Sequence, residues 1–257
     1  MKRLILLAGL MIVFSPFLAN ACDTNLIALI SGKSATNEFA EKVSRLVAIS
    51  VELGKNIETV EMAKPVISKL MNSWINFDNG FSNYPPDWAK KDKNWNTKFK
   101  NLADMIGEIS ASMRKNNLSD AHNKVLEFSK RITILFEYMP KSEIGEKLYE
   151  ISINLMNMND LFKAKDASGY SQGIDKLAQD FSALQKLLEE PLKKHTEQFA
   201  VYLGQLRQIF DEQKGKLDFK VKMTMMLIED TYVEMNEKLS MNMSEEQTGS
   251  DEENDKE

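Results

Sequence analysis

The chain has one cysteine in 257 residues. A single thiol excludes an internal disulfide and any Cys-x-x-Cys-His attachment of c-type haem, so stability has to come from a packed core. Histidine is nearly as scarce, with only His122 and His195. Neither belongs to a His-Glu-x-x-His motif. The Glu-x-x-His pairs of di-iron bundles are missing too, because Ser119 and Leu192 stand three residues before them. No glycine-rich phosphate loop occurs, and no nucleophile–base constellation is expected. The six prolines and eleven glycines are few, against an abundance of Leu, Met, Lys and Glu. That composition points to an all-α chain.

What is present begins at the N-terminus. Lys2-Arg3 is followed by the apolar run Leu4 to Leu18, and then by Ala19-Asn20-Ala21. A basic start, an apolar core and small residues before a cleavage point make residues 1–21 a secretory signal peptide, cut after Ala21. The run is short and contains Pro16, which argues against a membrane span. No later stretch is long and apolar enough to suggest one.

Cys22 falls directly after the cleavage point. The stretch Leu18-Ala19-Asn20-Ala21-Cys22 resembles a bacterial lipobox, with Ala19 where a leucine is usual and Asn20 also unusual. Two readings follow. Ordinary signal-peptidase cleavage leaves a free thiol; lipoprotein processing acylates Cys22. An exposed lone thiol is a liability in an oxidising compartment, so acylation is the preferred reading. The expected location is the periplasmic side of a cell envelope, on a membrane surface through an N-terminal lipid. An envelope protein is the candidate partner.

Removal of residues 1–21 leaves 31 basic and 38 acidic side chains, a net charge of −7. An acidic chain with no basic face interleaved with aromatics is a poor nucleic-acid binder, and none is expected as a partner.

The body reads as successive amphipathic helices. Residues 22–37 are expected to be a tether, with Leu26 to Ile30 able to pack locally. A first seam runs Phe39, Val43, Leu46, Ser50, Leu53, Ile57 and Val60, with Ser50 bonded to a carbonyl one turn earlier. A second, opening near Pro65, runs Ile67, Leu70, Trp74, Phe77, Phe81 and Tyr84, and Pro85-Pro86 breaks it. Trp88 is expected to cover the end of the bundle. A third runs from Trp95 to Met113. After a turn at Asn116-Asn117, with Ser119 as cap, a fourth runs from Leu118 to Met139. Steps of three and four keep each set on one stripe, so residues 38–140 are expected to form an up-down-up-down four-helix bundle.

Residues 141–240 extend that bundle by further antiparallel helices. One seam runs Ile144 to Phe162, and a second, after a turn at Ser168-Gly169, runs Tyr170 to Leu188. A long helix from Pro191 carries His195, Phe199, Tyr202, Leu206 and Ile209, then Leu217 to Leu239. Residues 241–257 are expected to be a disordered acidic tail.

Few residues could carry chemistry. His122 lies one step off a seam and is expected to be half exposed; His195 is expected to be buried and neutral. Three Met-x-Met pairs, Met156/Met158, Met223/Met225 and Met241/Met243, are soft ligands that suit Cu(I). Core filling is the competing role for them.

Four features of residues 39–138 resemble the soluble cytochrome b562 family: the helix lengths, the Pro-Pro before the long crossing, the stretch Trp95-Asn96-Thr97-Lys98-Phe99, and the polar turn before Ala121. The resemblance implies a periplasmic four-helix bundle with non-covalent haem held by a methionine and a histidine. Those two positions fall near Ser44 and on Phe136 here, so haem binding does not carry over and no cofactor is expected. The function expected is a non-catalytic interaction or structural module of the envelope. The alternative is a haem, copper or iron binder on the same bundle.

Overall fold

The computed structural model describes residues 24–31 and 38–251, with side-chain surroundings as far as residue 242. Residues 1–23, with the expected signal segment, Ala21 and Cys22, lie outside the described residues. All regular structure among the described residues is helical. The α-helices are α1 Thr24–Ser31, α2 Glu38–Asn56, α3 Val60–Phe81, α4 Trp95–Arg114, α5 Leu118–Arg131, α6 Glu143–Ala164, α7 Ala167–Leu187, α8 Glu190–Lys193, α9 Glu197–Glu212 and α10 Phe219–Asp251. No described helix is long and apolar enough to cross a membrane.

The seams become the core. Every residue of the Trp95–Met113 seam is buried on α4, and Ala121, Val125 and Phe128 are buried on α5. Ile132, Leu135 and Phe136 continue that face through a 3-10 turn, Ile132–Phe136, where the fourth helix was expected to stay α-helical. Helices α2 to α5 pack each against the next, and α2 also packs on α5, so the four close into a bundle. Helices α6, α7, α9 and α10 extend it, α6 against α7, α7 against α9 and α9 against α10. One continuous cluster of buried apolar side chains runs through both parts.

Several local expectations need correction. Residues 22–37 are not wholly a tether, since residues 24–31 form α1. This helix lies against α2, α6 and α10, with Leu26, Ile27, Leu29 and Ile30 buried. Full burial of such a side chain contributes ~1.5–3 kcal/mol, so α1 belongs to the fold. Helix α3 starts at Val60, with the Thr59 side chain capping Met62 N–H, so Pro65 lies inside the helix on its exposed face. Asn117, not Ser119, caps α5. The turn between α6 and α7 is made by Lys165, at φ 60, and Asp166, which caps Gly169 N–H. Ser168-Gly169 is already helical. Tyr84, placed on a seam, is 76% exposed.

The long helix expected from Pro191 is divided. A short 3-10 turn, Lys194–Thr196, separates α8 from α9, and residues 213–218 separate α9 from α10. On α9 the buried residues are Phe199, Leu203, Leu206 and Phe210, one step round from the expected Tyr202 and Ile209. Helix α10 continues to Asp251, so the stretch 241–251 is helical and not a disordered tail.

Candidate functional site

The end of the four-helix unit is the densest aromatic region. The Phe39 ring meets Phe77, Phe81, Trp88, Trp95 and Phe136 at centroid distances of 5.2, 5.0, 5.2, 5.7 and 5.6 Å. Trp88 closes this end as the sequence suggested, edge-on to Phe39 and to Trp95. Phe136, at the position of the haem-ligating histidine in the resemblance, is fully buried in this cluster. It offers no ligand atom. Ser44, at the methionine position, is half-buried on α2.

The two histidines stand on different elements. His122 is half-buried on α5, as expected. His195 is half-exposed in the 3-10 turn before α9, not packed on a seam, and its Nε2 lies 3.4 Å from Asn242 Nδ2 of α10. Burial of part of the ring pushes its pKa below the ordinary histidine value, and the charges of Lys194 and Lys238 add to that. No described group of three His, Cys, Asp or Glu side chains is arranged to hold a metal ion. Met223 and Met225 point apart, and Met158 is more deeply buried than Met156. Met158 and Met225 are buried, while Met223 and Met241 are exposed. Two residues along a helix turn a side chain about 200° around the axis, so a Met-x-Met pair there is split between core and solvent.

One chemical motif escaped the sequence reasoning. Gly169-Tyr170-Ser171-Gln172-Gly173 matches the Gly-x-Ser-x-Gly spacing of a nucleophile elbow. An elbow needs a strand, a sharp turn and then a helix, so that the serine stands exposed at the turn. Here all five residues lie within α7. Ser171 Oγ accepts a hydrogen bond from Arg207 Nη1 at 3.2 Å, and Gly173 lets α6 approach so closely that a Cβ there would meet Met158 Cγ at 2.7 Å. The glycines serve helix packing, and the serine faces an arginine instead of a base.

The most developed polar site joins α5, α6 and α10. Lys130 Nζ lies 2.7 Å from Glu229 Oε1, and Asn159 Nδ2 donates to the same oxygen. Tyr232 donates to the Leu148 carbonyl of α6. Between them is a cavity of about 20 Å³ lined by Lys130, Ser152, Leu155, Met156, Glu229 and Tyr232, room for about one water. Next to Glu229, the Asp230 carboxyl is pushed up to about 6, first by burial and then by the Glu229 charge. These groups pin α10 across two other helices. A second depression, about 280 Å³, is open to solvent along α4 and α5. Its charges neutralise one another: Lys124 pairs with Glu108 at 2.6 Å, and Arg131 with Glu127 at 3.0 Å and Asp160 at 2.6 Å.

A buried lysine is equally committed. Lys141 Nζ donates to the Glu137 and Met139 carbonyls at 3.1 and 3.0 Å, stands 3.4 Å from Glu146 and lies 4.3 Å from the Tyr149 ring centroid. Burial pushes its pKa down. With two hydrogen bonds to carbonyls and an ion pair to Glu146, it clamps the chain entering α6. No family model, curated protein or solved structure matches this chain.

Proposed function

We propose that this chain is an exported, lipid-anchored helical-bundle protein that acts as a non-catalytic interaction or structural module in a cell envelope. The observation that carries the reading is the N-terminus. The only cysteine stands directly behind Lys2-Arg3, the apolar run and Ala19-Asn20-Ala21. The packing of the interior supports a non-catalytic role. The apolar seams meet one another, and the Lys130–Glu229–Asn159 junction and Lys141 use their donors and acceptors to hold helices together.

The position of α1 adds a mechanical consequence. Only Asp23 separates Cys22 from α1. Two residues span about 7 Å at most, so an acylated Cys22 would hold the body close to the bilayer instead of on a long leash. The test is Cys22→Ser. The wild-type chain should fractionate with membranes and carry an N-terminal acyl mass, and the variant should be soluble in the periplasm. An unmodified Cys22 in a soluble wild-type protein would overturn the anchor. A Soret band, or stoichiometric copper or iron in protein purified from its native host, would overturn the cofactor-free module.

A further inference from the structure

The turn between α9 and α10 is built to present a small basic and apolar patch. Gly215, at φ 76, donates its N–H to the Phe210 carbonyl at 2.9 Å, which ends α9 sharply. Lys214 is also left-handed, at φ 52. Asp218 Oδ1 then accepts from Lys220 N–H at 2.9 Å and Val221 N–H at 3.2 Å, which starts α10. Leu217 packs against the core, and the next ring, Phe219, is turned outward and is 67% exposed. Met223 and Leu227 continue its stripe, both exposed. Around them Lys214, Lys216, Lys220 and Lys222 are all exposed, and none makes an ion pair among the described residues.

Other groups at this end fit the same pattern. Asp211 and Glu212, the nearest acids on α9, face Arg207 and Gln208. The rings of Phe162, Tyr170 and Phe210 are in sequence contact at 6.2 and 5.7 Å, which brings the α6–α7 turn and the exposed Lys165 to the same end. The placement does not serve helix stability. Cations at a helix start oppose its positive end, and here the capping carboxylate of Asp218 stands against both Lys220 and Lys222.

We infer that this patch docks on an anionic lipid surface, with the lysines on headgroups and Phe219 in the interfacial layer. An exposed aromatic between unpaired lysines matches that layer, apolar below and negatively charged above. Four lysines over nine residues fall short of the extended basic track of a nucleic-acid site. The chain's own acidic stretch starts at Ser244 and continues away from the patch along α10 to Asp251. At 1.5 Å per residue Ser244 stands about 38 Å from Phe219. The contact is also separate from Cys22. Helix α1 meets α6 near its start, at Gly145, whereas the patch stands by the end of α6. The inference extends the membrane reading without depending on acylation.

The test uses the chain from residue 22 with Cys22→Ser, mixed with vesicles of phosphatidylcholine alone or with phosphatidylglycerol added. It should co-sediment with the anionic vesicles only, and high salt should release it. Each lysine changed to alanine among Lys216, Lys220 and Lys222 should weaken partitioning about five-fold. Phe219→Ala should weaken it by about ten-fold while leaving the helical circular dichroism intact. Absence of binding to anionic vesicles overturns the proposal, as does binding that these variants leave unchanged. Self-association of the chain that the same variants abolish also overturns it, since the acidic 244–257 stretch of a second copy would then be the occupant. Failure of acylation in the native host would leave this result standing, so the two readings fail separately.

Discussion

Gly145→Ala should destabilise the protein although it improves the helix. Gly145 is the third residue of α6, and alanine is preferred to glycine in a helix by up to about 1 kcal/mol. The added Cβ, however, would stand 2.8 Å from the Leu29 carbonyl oxygen, 3.3 Å from Ile30 Cα and 3.1 Å from Ser142 Oγ. Two of these three atoms are backbone, and they cannot rotate away. Relief requires α1 to retreat from α6 as a unit. A gap of ~0.5–1 Å already forfeits a quarter to a half of the dispersion attraction of the contacts that open. Overpacking of this kind costs ~1–3 kcal/mol, so after a helix gain of up to ~1 kcal/mol the net loss is up to about 2 kcal/mol.

Gly107 is the control. It lies in α4, exposed, and a Cβ there meets nothing within 4 Å. Gly107→Ala should therefore stabilise by ~0.5–1 kcal/mol. Urea denaturation of both variants should give midpoints that move in opposite directions with similar slopes. Hydrogen exchange should also show α1 amides losing protection in Gly145→Ala. Equal stabilisation by the two alanines would mean that α1 does not rest on α6, and the role given to it would fail.

Three further outcomes follow from the packing. Trp74 is buried against Phe77, Phe99 and Phe128 at 5.7, 5.6 and 6.2 Å, so Trp74→Ala should cost ~3–5 kcal/mol by urea denaturation; a loss under about 1 kcal/mol would refute the shared core. Burial pushes the Asp230 carboxyl from its ordinary 3.8 up to about 6 in the folded chain. The folded state then binds the proton more tightly, so this group favours folding as pH falls from 6 to 4 and penalises it fully above 6. Asp230→Asn should raise stability by about 1 kcal/mol at pH 8, the carboxyl being partly solvated, and the gain should vanish near pH 4. Deleting 244–257 removes residues beyond Leu239, the last buried seam position among the described residues, and should shift the melting temperature by less than about 2 °C; a larger drop would show that this stretch docks.

The sequence by itself determined the all-α class, the main apolar faces of α2 to α7, and the starts of α2, α4, α5 and α6. These follow from spacing of three and four and from local breakers such as Pro85-Pro86 and Pro140, which act over one turn of chain. Ser50 illustrates how local the signal is: its bond to the Leu46 carbonyl, 2.8 Å, lies within its own helix. Ends set by backbone geometry were harder to read, since nothing in the letters marks Lys165 rather than Gly169 as the left-handed residue. Helix α10 beyond residue 240 was missed because an acidic composition speaks for solvation and not against helix.

Only the tertiary structure decided what α1 does. Its eight residues are too few to establish a periodicity, and they read equally as a loosely apolar stretch of tether. Their burial comes from α6 and α10, more than a hundred residues away, and from the missing Cβ of Gly145. The same holds for the polar junction of Lys130, Asn159 and Glu229, whose members are scattered over three seams' polar flanks. The outward face of Phe219 was likewise hidden in the sequence, where it is one more apolar residue near a seam. Helical spacing says which residues share a stripe of one helix. Which stripes meet, and which side chain is left facing water, depends on contacts between distant segments that no local pattern encodes.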